Sequence, residues 1–176
     1  MEMPPRYGVA LAWQLAVAGY MQLVVWVPLG RWNYQRCCQT GLAQLREGTL
    51  TVVDALPLAL FVLPAAVFWL GARRQSRWMT AVAIVATALW LLIQLISWWP
   101  PYIFGASDSW ARVYERAFAE STRVLPKWGN HLPPDALHVT LQVLLTGAVV
   151  SGVRALRNPA SSRPPPEPEP RSGPAR

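Results

Sequence analysis

Hydrophobic and polar positions are segregated along this chain: four long apolar runs are separated by shorter segments that hold nearly all the charge. The clearest run is residues 78–99, which carries no formal charge and is flanked by Trp78 on one side and Trp98-Trp99 on the other. At ~1.5 Å per residue such a helix reaches roughly 33 Å, enough to cross the ~30 Å hydrocarbon layer of a bilayer. Indoles at both ends fit the headgroup level, where the ring is buried and the N–H stays near water. Pro100-Pro101 is expected to close the helix. Residues 7–29, 49–72 and 136–156 read as three further spans. In the second, Pro57 falls in the opening turns, while Pro64 falls mid-span and predicts a kink. The apolar character of the first span continues past the small-residue triplet Ala16-Val17-Ala18, which argues against a cleaved signal peptide.

The connections differ in kind. Residues 71–77 form a tight basic turn, so spans two and three are expected to be an antiparallel hairpin. In residues 108–125, Trp110, Val113, Tyr114, Ala117, Phe118 and Ser121 recur at helical spacing, with Arg112, Glu115, Arg116, Glu120 and Arg123 between them. This predicts an amphipathic helix that lies on the bilayer surface or caps the bundle. Residues 158–176, rich in proline and charge, are expected to form a disordered tail with polyproline II character. The fold class is therefore an all-α integral membrane protein with four transmembrane helices and one outer amphipathic helix.

Composition then sets the orientation. The net charge is +7, yet only 14% of residues are charged, and no basic stripe alternates with aromatics on a polar segment. The basic residues read as topology signals and contacts to anionic lipid headgroups, and nucleic acid is not an expected partner. The compact turn bearing Arg73, Arg74 and Arg77, together with Arg6, Arg154 and Arg157, places that side in the cytoplasm. Arg31, Arg36, Arg46 and the more acidic long connection lie on the other side. Both termini are then cytoplasmic in a cell membrane. Cys37 and Cys38 are adjacent, which excludes a Cys-x-x-C redox motif and any disulfide framework within one chain.

Candidate chemistry concentrates at the outer side. Spans two and four open alike, with Asp54-Ala55-Leu56-Pro57 and Asp135-Ala136-Leu137-His138. Each Asp can cap its helix, accepting from free N–H groups at the positive end of the dipole. Alternatively, Asp54, Asp135 and His138, with His131 nearby, can gather around a divalent metal or a proton path. Gln22, Gln94 and Gln142 all fall in the outer half of their spans. They are expected to point inward and bond to one another, as glue between helices or as the wall of a polar pocket with helix 108–125 as a lid. Small residues at Ala12 and Ala16, Gly147 and Ser151, and Ala148 and Gly152 have the spacing of close helix packing, within one chain or in a homodimer.

The segment Trp98-Trp99-Pro100-Pro101-Tyr102-Ile103-Phe104-Gly105, followed by Leu125-Pro126 and Pro134-Asp135-x-x-His138, resembles small multi-pass bacterial membrane proteins. Similar proteins carry Trp-x-Pro-Tyr-x-Phe-Gly at the end of a span, a charged helix, a Leu-Pro step, and Pro-Asn-x-x-His opening the last span. Here an extra proline precedes Tyr102 and Asp135 stands in place of the Asn. The resemblance implies a bacterial inner membrane and draws attention to the outer loop and His138, but it brings no activity. The expected function is a non-enzymatic accessory or small-ligand-binding membrane component, partnered by the lipid bilayer and by a further copy or another membrane protein, with no cofactor. A small oligomeric transporter using the outer polar cluster and a metal-dependent membrane enzyme are the alternatives.

Overall fold

The computed structural model describes residues 5–32, 52–118 and 120–157, with side chains for all of these except Arg6 and residues 52–59. Among the described residues it is all-helical, with five α-helices and no strands: α1 (Pro5–Trp26), α2 (Val52–Arg73), α3 (Arg77–Ile103), α4 (Asp108–Ala117) and α5 (Ala136–Arg157). A single 3-10 turn, Gly30–Trp32, follows α1. Three segments, Tyr7–Trp26, Arg77–Ile103 and Ala136–Arg157, are long and apolar enough to cross a membrane, and Leu60–Arg73 is a shorter apolar helical stretch. Cys37 and Cys38 and the proline-rich tail lie outside the described residues.

The four long helices pack as a ring in the order α1, α2, α3, α5, so that the first and last close on each other. The outward face of α3 is apolar rather than polar: Val82, Val85, Leu89, Leu92, Ile93 and Ile96 are all exposed. An exposed apolar stripe of this extent is what a lipid-facing helix presents, and a soluble protein of this size rarely shows one.

Several boundaries depart from the sequence expectation for identifiable reasons. Helix α1 stops at Trp26, two residues before Pro28, because the residue preceding a proline is driven out of the α region. Pro100-Pro101 does not end α3, which continues to Ile103. A proline's φ is already helical, and the helix recovers when Phe104 N–H reaches the Pro100 carbonyl at 2.9 Å. It ends at Gly105, whose φ of +90° is open to glycine, and a Cβ there would also lie 2.9 Å from the Asn130 side chain. Helix α2 starts at Val52, so Asp54 sits in the first turn rather than at the cap. The same helix runs through Pro57 and Pro64 without interruption.

The amphipathic helix is shorter than expected, ending at Ala117 instead of 125. Phe118 leaves the α region, the Ser121 hydroxyl turns back to the Phe118 carbonyl at 2.6 Å, and the chain from 122 pairs with the segment entering α5. Thr122 C=O accepts from Ala136 N–H at 2.7 Å, and Arg123 bridges Asp135.

The expected hairpin between α2 and α3 is present, and it is tight. Ser76 N–H bonds the Gly71 carbonyl at 2.8 Å, Gln75 takes a left-handed φ of 52°, and the Ser76 hydroxyl caps α3 at Met79 N–H. A Cβ on Gly71 would sit 2.8 Å from the Thr80 backbone nitrogen, so the two helices can approach this closely only with glycine at that position.

Candidate functional site

At the end of the bundle away from the arginine turn, the connection between α3 and α5 folds into a cap. Its hub is Trp98, which is buried to 3% exposure instead of lying in an interfacial belt. Trp110 and Tyr114 of α4 and Phe118 just past its end meet it edge-on, with ring centroids at 5.8, 6.3 and 5.2 Å. Part of the apolar face of α4 is therefore packed on Trp98, while Val113 of the same set stays 46% exposed. At the opposite end of α3, Trp78 is 77% exposed and is the better match to a headgroup-level indole.

Asp135 and His138 lie under this cap. Asp135 is the N-cap of α5, its Oδ1 accepting from His138 N–H at 2.8 Å and meeting His138 Nδ1 at 2.7 Å. The His138 ring stacks on Trp98 at 4.1 Å and faces the edge of Phe118 at 5.4 Å. The carboxylate thus compensates both a free helix N–H and the imidazole, which accounts for burying an acid this completely. Nearby, Tyr114 is buried, with Arg123 as the polar neighbour of its hydroxyl. Burial pushes its phenol above the ordinary value, the Arg123 guanidinium pulls it partly back, and the Asp135 carboxylate adds to the rise. Tyr114 is therefore a neutral phenol throughout the physiological range.

His131 does not join this pair. Its Nδ1 lies 2.8 Å from the Tyr102 carbonyl, and its ring packs on Trp128, which in turn stacks on Tyr102 at 5.6 Å. No group of three His, Cys, Asp or Glu able to hold a metal occurs among the described residues. The Asp54 carboxylate lies outside the described side chains, so the four-residue metal set is represented here by His131, Asp135 and His138 alone.

The three glutamines do not gather into one cluster. Gln22 accepts from Trp26 Nε1 at 3.0 Å, one turn along its own helix. Gln142 Oε1 accepts from Trp99 Nε1 at 2.9 Å, while its amide nitrogen reaches the Gln94 backbone carbonyl at 3.5 Å. The Gln94 side-chain oxygen is buried without a partner among the described residues. Gln142 and Trp99, with Leu95, Val139, Val143 and Thr146, border an outward-opening groove of about 350 Å³ between α3 and α5. This is where part of the expected polar set meets open volume.

Two polar connections were not foreseen as pairs. In mid-bundle, Gln14 Nε2 donates to Thr87 Oγ1 at 3.1 Å, and the Thr87 hydroxyl donates to the Ala83 carbonyl at 2.9 Å. The adjoining void, bordered by Pro64 and Trp90, is about 10 Å³, the lower limit for a single water. At the capped end, Trp32 Nε1 donates to Tyr20 Oη at 3.1 Å, and that hydroxyl donates to the Leu137 carbonyl at 2.9 Å. Gln14 is one of two glutamines in the first apolar run, and nothing in the sequence tied it to Thr87. No pattern signalled the second pair, because the chain closes 117 residues to bring Tyr20 to Leu137.

Of the small residues at the expected packing positions, Gly147 and Gly152 are occupied within the chain, whereas Ala12 and Ala16 are exposed. A Cβ on Gly147 would lie 2.5 Å from the Trp13 ring, and one on Gly152 would lie 2.7 Å from Ile84. Comparison of the chain with protein-family models, with curated proteins and with solved structures finds no match.

Proposed function

We propose that the protein is a four-span integral membrane protein that acts as a non-enzymatic accessory component, with its folded cap on the outer side and both termini in the cytoplasm. The observation that carries this reading is that, among the described residues, most polar groups inside the bundle are paired locally, on different helices and at different depths, and no common cavity joins them. Gln14 bonds Thr87, Gln22 bonds Trp26, Gln142 bonds Trp99, and Asp135 caps α5. A permeation path needs polar groups that face shared water, and a catalytic metal needs three convergent donors. The fourth span is supported by the continuous helix Val52–Arg73 and its close hairpin with α3. The orientation is supported by Arg73, Arg74, Arg77, Arg154 and Arg157 at one end of the bundle.

A ligand-binding role is the second reading, favoured by the groove beside Trp99 and Gln142, whose indole N–H and amide supply directional contacts at an apolar wall. Both readings are tested with the full chain reconstituted into liposomes. The accessory reading expects proton, potassium and small-solute leakage equal to that of protein-free vesicles, and no stoichiometric metal in protein purified without chelator. Flux that disappears in Gln142→Leu while the protein still inserts would replace it with transport. One equivalent of tightly held zinc or manganese would replace it with metal chemistry.

A further inference from the structure

The end of the bundle opposite the cap carries a feature that the accessory reading does not use. A lateral groove of about 370 Å³ runs between α1 and α5, bordered by Val9, Trp13, Gly147, Val150, Ser151 and Arg154. Its volume falls in the range of small-ligand pockets, about 300–1,000 Å³. The Gly147 position is filled by the Trp13 ring, which gives the groove a flat aromatic floor. Ser151 offers little to a ligand, because its hydroxyl is turned back onto the Gly147 carbonyl at 2.6 Å. What remains is an apolar trough with Val9 and Val150 exposed along it, and a single cation at the end nearest the arginine turn.

Among the described residues nothing neutralises that cation. Arg154 is exposed and makes no hydrogen bond or ion pair with any described residue. Its neighbours at the same end are engaged differently: Arg77 donates to the Leu156 carbonyl at 3.0 Å, and Arg73 lies 4.9 Å over the Trp69 ring. Among the described residues this end contains six arginines, Arg6, Arg73, Arg74, Arg77, Arg154 and Arg157, and no acid, since Asp54 opens α2 at the other end and Asp108, Glu115, Glu120 and Asp135 belong to the cap and its approach. We infer that the α1–α5 groove is a site for one anionic diacyl phospholipid, with an acyl chain along Val9, Trp13 and Val150 and its phosphate on Arg154. A second copy of the chain is a poor occupant, because copies inserted in the same direction would bring Arg154 and Arg157 to the level of their own counterparts. An arginine at the end of an apolar groove matches a lipid in charge and in apolar character, with the groove taking about 10 Å of the acyl chain next to the headgroup.

The inference rests on the membrane reading, and the two fail differently. A protein that stays in solution without detergent defeats the membrane reading outright; the lipid site is tested on detergent-solubilised full-length protein. The probe is an equimolar mixture of dioleoyl phosphatidylglycerol and dioleoyl phosphatidylcholine, with retained lipid read by native mass spectrometry. Wild type is expected to retain the anionic lipid over the zwitterionic one by about fivefold, the scale of one arginine near a charged headgroup. Arg154→Gln is expected to bring that ratio close to one. Arg157→Gln, which removes the same charge three residues away and off the groove, should leave it unchanged. Val150→Trp, at a 42% exposed position on the rim, is expected to reduce retention of both lipids. Equal retention of the two lipids by wild type overturns the inference. So does an equal drop in the two arginine variants, which would mean diffuse surface attraction, or a Val150→Trp variant that holds both lipids as before. A stable dimer that excludes both lipids would assign the groove to a second copy instead.

Discussion

The two ends of this bundle are held together by opposite means. At the arginine end the helices meet directly: Ala10, Phe68 and Ala72 are fully buried, Tyr7 meets Phe68 edge-on, and Gly71 and Gly152 admit Thr80 and Ile84. Apart from the lateral groove between α1 and α5, the helices are in close contact here, with little hydrogen bonding between them. At the capped end the helices are held by what is folded over them: an aromatic hub on Trp98, a buried carboxylate at the start of α5, and a link from Arg31 C=O to Thr122 N–H at 2.9 Å. Close approach works where the connection is a three-residue turn. Where the connection is long, its own side chains have to supply the core.

The contrast can be broken most sharply at the hub. Trp98→Ala is expected to cost about 3–5 kcal/mol, the range for emptying a buried aromatic site. The loss should be local: amide exchange across residues 108–135 rises steeply while protection around Gly71 and Thr80 persists. The reverse experiment is Gly71→Ala or Gly152→Ala, where one added methyl meets backbone or a buried side chain. Each is expected to cost about 1–3 kcal/mol, read as lower thermal stability in detergent, with the cap's exchange pattern unchanged. Next in size, Asp135→Ala removes the cap of α5 and leaves His138 Nδ1 without its carboxylate, for about 0.5–2 kcal/mol. Asp135→Asn should recover most of that, since an amide oxygen still accepts from His138 N–H. The smallest effect is expected at mid-bundle. Gln14→Leu and Thr87→Val should couple by about 0.6 kcal/mol in a double-mutant cycle, typical of hydrogen bonds between helices in a membrane.

How far these regions were legible in sequence follows the same division. The hairpin could be read because Arg73 to Arg77 is short, polar and bounded by apolar runs, and Asp135 could be read as a cap because N-terminal capping is a local rule. The face of α4 could also be read, since Trp110, Tyr114 and Phe118 are helical neighbours. What they would meet could not: Trp98 looked like half of an interfacial pair, and only the fold separates it from Trp99, which turns outward to Gln142. The expected end of α3 at Pro100-Pro101 failed because two prolines remove donors without preventing a helical path. Of the expected set Gln22, Gln94 and Gln142, only Gln142 and Gln94 are seen to meet, because depth in a span says nothing about rotation around the helix axis. Gln22 found its partner one turn away.

The closing of α1 onto α5 bears on how the chain is made. A nascent polypeptide emerges from the ribosome with α1 first and waits for α5 last, so Trp13 has no Gly147 to rest on until synthesis is nearly complete. Through that interval α1, α2 and α3 can already pack in series, while the faces of α1 and α3 that α5 will cover stay open. A product truncated before Ala136 would therefore keep three packed helices and expose the seam that the last helix closes.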